Sequence, residues 1–143
     1  MNRSASGFAT AVSAVIDSLE AAGYEIAEAT VDSNSVPHVV ATGEDGLLFV
    51  LVQGLEGPTL AEFSEEIYYA KILPFVEAMT WHPMAAAAAK AAAAHGAKAA
   101  LALVGLIETE DRDEAGEPVY LAKVFPLRSV DETGQVSHTP QER

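Results

Sequence analysis

The sequence predicts an α/β domain, a mixed sheet with helices on both faces, on three observations. Two apolar runs, PHVVAT from Pro37 and LLFVLVQ from Leu47, flank Gly43-Glu44-Asp45-Gly46, and Asp-Gly between such runs is a strong short-range hairpin signal. Ahead of that hairpin, Phe8, Val12, Val15, Ile16, Leu19 and Ala22 recur at helical spacing. After it, the alanine-rich stretch Met84 to His95 leads into the unbroken apolar run Lys98 to Ile107. A hairpin, a helix and a further buried strand describe a crossover back into one sheet.

Taken in order, the first helix covers about residues 7–22, with Ser6 as N-cap and Gly23 as its stop. Residues 23–31 alternate as a strand, with Tyr24 and Ile26 on one face, and Asp32 to Ser35 form a polar turn cluster. The second hairpin strand is apolar on both faces, which implies burial on both sides. Only His38 and Gln53 interrupt the apolar pattern of the hairpin with polar groups of consequence. Thr59-Leu60-Ala61-Glu62 matches a capping box, and Ser64-Glu65-Glu66 offers a second helix start. Residues 63–81 are helical in pattern, with Pro74 expected to kink or break them. Ile67, Tyr68, Leu73, Phe75, Val76 and Met79 read as core. Pro83 suits the first turn of the alanine-rich helix and Gly96 its end. Alanine side chains let that helix lie close to a sheet. Glu108 to Gly116 reads as an acidic, solvated turn, and residues 118–125 as a final strand, where an edge position tolerates Pro118 and Lys123. The domain is expected to span residues 1–128, with 129–143 a polar, disordered tail.

Composition narrows the function classes. With 21 acidic and 8 basic residues the formal charge is −13, which disfavours nucleic acid and anionic membrane surfaces. The absence of cysteine excludes disulfides, thiol catalysis and thiolate zinc sites. No signal-peptide pattern or membrane-spanning run is read, and a cytoplasmic protein is expected.

The order helix, three-strand meander, crossover helix, strand, strand resembles the restriction-endonuclease-like fold of the PD-(D/E)XK nuclease superfamily, and within it the small bacterial putative endonucleases. Those chains open with a helix ending in Gly-Tyr, matched here by Gly23-Tyr24 and Ile26. They continue through a strand carrying an Asp, an acidic-Gly turn and a strand of the form Leu-Val-Phe-Val-Glu-Val-Lys; here that strand reads Leu47-Leu48-Phe49-Val50-Leu51-Val52-Gln53. The likeness covers roughly residues 7–125, in pattern and length rather than in chemistry. The resemblance places the family's metal-binding Asp on His38, its Glu on Leu51 and its Lys on Gln53. Mg²⁺ chemistry of that kind needs carboxylate oxygens and a cationic Lys, so the motif is degenerate. What the resemblance implies is a former pocket near His38, Leu51 and Gln53, either closed by apolar packing or reused, with His38 and Gln53 as the candidate binding positions. His38, Leu51 and Gln53 would share one sheet face, with Leu51 buried under a helix.

The expected function is therefore a non-catalytic, nuclease-like-fold protein acting as a binding or protein-interaction module, without a cofactor. An alternative is an active metal-dependent nuclease whose carboxylates have migrated to Glu62, Glu65 or Glu66, with Lys71 or Lys90 in place of the lost Lys. His38, His82, His95 and His138 show no short metal-ligand spacing, and no phosphate loop or nucleophile elbow occurs. The aromatics Tyr68, Tyr69, Phe75 and Trp81 suggest an interface, so the expected partner is another protein or a second copy, as a homodimer.

Overall fold

The hairpin forms where Asp-Gly places it. In the computed structural model, which describes residues 3–30, 32, 36–44, 46–56, 74 and 76–137, strand β2 (Val39–Gly43) pairs antiparallel with β3 (Gly46–Glu56) from Gly43 opposite Gly46 to Val39 opposite Val50. Before it come α1 (Arg3–Ala21) and β1 (Glu25–Ala29); after it come α2 (Pro83–Ala94), β4 (Lys98–Arg112), β5 (Pro118–Val124) and β6 (Arg128–Val130). The result is an open six-stranded mixed sheet in the order β1-β2-β3-β4-β5, with β6 also beside β4. β3 and β4 run parallel and every other pairing is antiparallel.

Local chemistry ends both helices as the sequence expects. Gly23 (φ +98) and Gly96 (φ +66) take the left-handed position after α1 and α2. Tyr24 N–H then returns to Leu19 O, and Ala97 N–H to Ala92 O, the bonding that satisfies otherwise orphaned last-turn carbonyls. At its start α2 has Pro83 in the first turn, and the His82 ring accepts the Met84 N–H. Pro74 and residues 76–79 are helical, and residues 80 and 81 form a turn; the rest of the segment expected to be a Pro74-kinked helix lies outside the described residues.

Two cores result, one on each side of the sheet. Val12, Val15 and Leu19 of α1 pack on Val39, Val50, Val52, Ala102 and Leu106. Ala85, Ala89 and Ala92 of α2 pack on Phe49, Leu51, Leu101, Leu103 and Phe125. Strand β4 is buried without interruption from Ala99 to Leu106, as a parallel-paired strand covered on both faces must be. Among the described residues no helix is long and apolar enough to cross a membrane.

Two expectations need correction. The acidic segment from Glu108 is strand as far as Arg112, and the turn is confined to residues 113–117, where the Asp113 carboxylate accepts the Ala115 and Glu117 N–H groups. Cross-strand bonding to β5 overrides the local turn signal of charged residues. The expected disordered tail also begins too early. β6 crosses the presumed boundary at 128 and pairs with residues 99–101 of β4. Val130 and Val136 bridge to each other and join the α2-side core. Two valines among polar residues leave too sparse a pattern to read, but β4 has an open flank below β5 that they close. Residues 138–143 lie outside the described residues.

The loop after β6 is organised by Asp131, whose carboxylate accepts the Thr133 hydroxyl (2.7 Å), the Thr133 N–H (2.9 Å) and the Gln135 N–H (3.0 Å). It docks against the start of α2: Trp81 N–H donates to Gly134 O, and Trp81 Nε1 lies 3.4 Å from the Thr133 hydroxyl. Gly134 (φ +92) lies so close to Ala86 that a Cβ there would come within 3.0 Å of its Cα. The Thr133 hydroxyl first, and then the backbone donors, hold the Asp131 carboxyl below its ordinary value of 3.8. A carboxyl depressed on folding stabilises the loop above its unfolded pKa, and that contribution is lost as pH falls through the folded one. The expected outcome is a change in Trp81 emission, from the chain's one tryptophan, on acidification below pH 3.8. Asp131→Ala shifts the emission the same way already at neutral pH. An acid titration followed by fluorescence checks both.

Candidate functional site

The three positions expected to share a pocket are separated by the sheet. His38 precedes β2, is 2% exposed, and meets Phe8 of α1 edge-on at 4.8 Å between ring centroids. Leu51 is 1% exposed and belongs to the opposite core, beneath α2. Gln53 follows Leu51 by one alternation on β3; it is half-buried, opposite Leu103, and its side-chain amide donates to Gly54 O at 3.2 Å. His38 therefore turns toward α1 while Leu51 and Gln53 turn toward α2, which overturns the expectation of a common face.

The cause lies in the backbone at the start of β2. His38 N–H donates to Val50 O, and Val39 is itself in register with Val50. Two successive residues thus meet one on the neighbouring strand, the arrangement of a β-bulge, which interrupts the alternation and re-aims a side chain. The His38 ring then does the work of a strand residue: its Nδ1 accepts the Val52 N–H at 2.8 Å. With Nδ1 occupied as an acceptor, the neutral ring carries its hydrogen on Nε2. The physical role of His38 is to satisfy a β3 donor where β2 has ended.

The two other described histidines also bond to the backbone. His82 caps α2, and His95 Nδ1 lies 3.0 Å from Ala91 O. Among the described residues no group of three His, Asp or Glu side chains is placed to hold a metal ion. Lys90 is exposed on α2; Glu62, Glu65, Glu66, Lys71 and His138 lie outside the described residues. A groove of about 570 Å³ runs between the end of α2 and the Asp131 loop, lined by alanines together with Lys98, Ser129, Glu132 and Thr133. Its charged groups, Lys98, Asp131 and Glu132, are of mixed sign.

Arg128, Val119 and Leu121 were not singled out in the sequence, whereas Trp81 was, as an interface aromatic. Arg128 is fully buried, in register with Leu101, and its Nη1 donates to Ser137 O at 3.2 Å. Nothing in its local sequence marks it, because the burial comes from β6 closing the flank of β4. Trp81, expected within an apolar helical segment, is 62% exposed with φ 58°. Val119 and Leu121 on β5 are exposed as well, at 37% and 53%.

The architecture defines an α/β protein with an open mixed sheet and, among the described residues, helices on both faces. The chain belongs to the family of a domain of unknown function, DUF8840, whose model matches residues 8–128. No curated protein and no solved structure matches it.

Substitutions at positions 38, 51 and 53 test this geometry. His38→Ala strands the buried Val52 N–H and removes the Phe8 contact, so a loss of about 2–4 kcal/mol is expected in urea unfolding. His38→Asn, whose amide oxygen can take the place of Nδ1, recovers part of it. Leu51→Glu buries a carboxylate without a partner among alanines and leucines, at a cost of several kcal/mol, on the order of 3–5. Because position 38 points away, adding His38→Asp and Gln53→Lys gives no gain in melting temperature with Mg²⁺, which thermal unfolding with and without the ion measures.

Proposed function

We propose that this protein is a non-catalytic protein-interaction module on a nuclease-like α/β frame, binding another protein or a second copy of itself. The frame is supported by the order of elements: helix, antiparallel meander, crossover, and a strand parallel to the last strand of the meander. That order is the part of the nuclease resemblance the reading keeps. The motif positions do not carry it, since they lie on opposite sides of the sheet.

The observation that carries the non-catalytic reading is Leu51, 1% exposed at the position the resemblance gives to a metal-binding Glu. A packed leucine offers neither a ligand nor space for a hydrated ion, which wants several oxygen ligands. The net charge of −13 acts in the same direction by repelling a polyanionic substrate. What remains for function is surface: exposed aromatic and aliphatic side chains on a stable sheet.

The reading is tested by incubating the protein with DNA and RNA across Mg²⁺ and Mn²⁺ concentrations. No metal-dependent cleavage is expected. Cleavage abolished by Glu62→Ala or Glu65→Ala, but not by the control Asp17→Ala at an exposed position of α1, overturns the proposal in favour of a nuclease with displaced carboxylates.

A further inference from the structure

We infer that β5 is a docking edge for an extended, basic segment of a partner protein, which adds to the sheet as a further strand. The inference rests on the interaction-module reading and names the partner's chemistry.

β5 ends the strand order of the sheet, and an outer strand presents a backbone edge that another strand can extend. Beyond Leu106 the β3 pairing stops, and β4 continues with β5 alone as a two-stranded arm. Val119 and Leu121 lie on one face of that arm by alternation, opposite the side on which Tyr120 packs toward α1. Leu121 is in register with the half-buried Ile107, so the exposed side chains continue an apolar strip that α2 does not reach.

The charge of the arm chooses the partner. Between residues 108 and 117 there are six carboxylates and one cation. Arg112 is turned back onto Glu108 at 3.2 Å, while Glu110, Asp111, Asp113 and Glu114 are exposed. A strand with apolar residues on one face and Lys or Arg on the other would cover Val119 and Leu121 and neutralise that rim. A second copy of this chain, at −13, would set one acidic arm against another. The opposite edge is less suited. β1 has five residues, a register shift between Ile26 and Glu28, and no large exposed apolar side chain; such a shift blunts an edge.

The full chain is titrated with a dye-labelled peptide alternating Lys with Val and Leu, of about eight residues to match a strand, and with its Glu-for-Lys counterpart as control. Saturable binding of the basic peptide alone is expected, with slowed amide exchange confined to residues 119–124, Pro118 having no N–H. Leu121→Ser and the triple variant Glu110→Lys, Asp111→Lys, Glu114→Lys, all at exposed positions, each weaken it about tenfold without loss of circular dichroism. The inference is overturned by absent saturation, by protection elsewhere on the sheet, by folded variants that bind like the parent, or by a dimer that Leu121→Ser dissolves. A failed titration without nucleic-acid cleavage removes only the docking edge; metal-dependent cleavage removes the module reading itself.

Discussion

The parallel pairing of β3 with β4 is the constraint on which the rest of the structure depends. It holds in unbroken register from Leu48 opposite Lys98 to Glu56 opposite Leu106. Parallel strands need a long crossover between them, and a sheet centred on such a pair buries both faces. α2 lies within that crossover, on one face, and α1 covers the other. Alanines at 85, 88, 89 and 92 are buried in α2, so the helix approaches the sheet with little side-chain volume to accommodate.

Position 51 sits at the middle of that pairing, opposite Leu101. Its side chain is part of the layer that joins sheet to helix. The surface carries what the interior does not. The acidic arm, its apolar strip and the outer strand β5 lie where β4 outruns β3. Exposure of Val119 and Leu121 is thus a consequence of strand length: β4 has 15 residues, while β3 accompanies it only to Leu106.

Elements with strong local signals were legible from the chain. The Gly43–Gly46 turn, the glycine stops at 23 and 96, Pro83 at the start of α2 and the burial of residues 99–106 follow from backbone preferences and apolar continuity, which act over a few residues. The orientation of His38 was not legible. Alternation along HVVAT assigns it to the face of Val40, and a single extra residue at the Val39–Val50 pair moves it to the other. A bulge leaves no reliable mark in composition, and a one-residue shift reverses every facial assignment beyond it. The same limit hid β6, Arg128 and the length of β4, each decided by a strand many residues away.

The sequence by itself determined an α/β chain with a hairpin, a crossover and an alanine-faced helix, and a formal net charge of −13. Those properties are local or additive, summed over neighbouring residues or over the whole composition. The tertiary structure alone decided that His38 serves the Val52 N–H instead of facing Leu51, that the segment after residue 128 closes the sheet, and that the acidic run becomes an arm. Each depends on which backbone groups were still unpaired once the central strands had met, and only the assembled sheet specifies that.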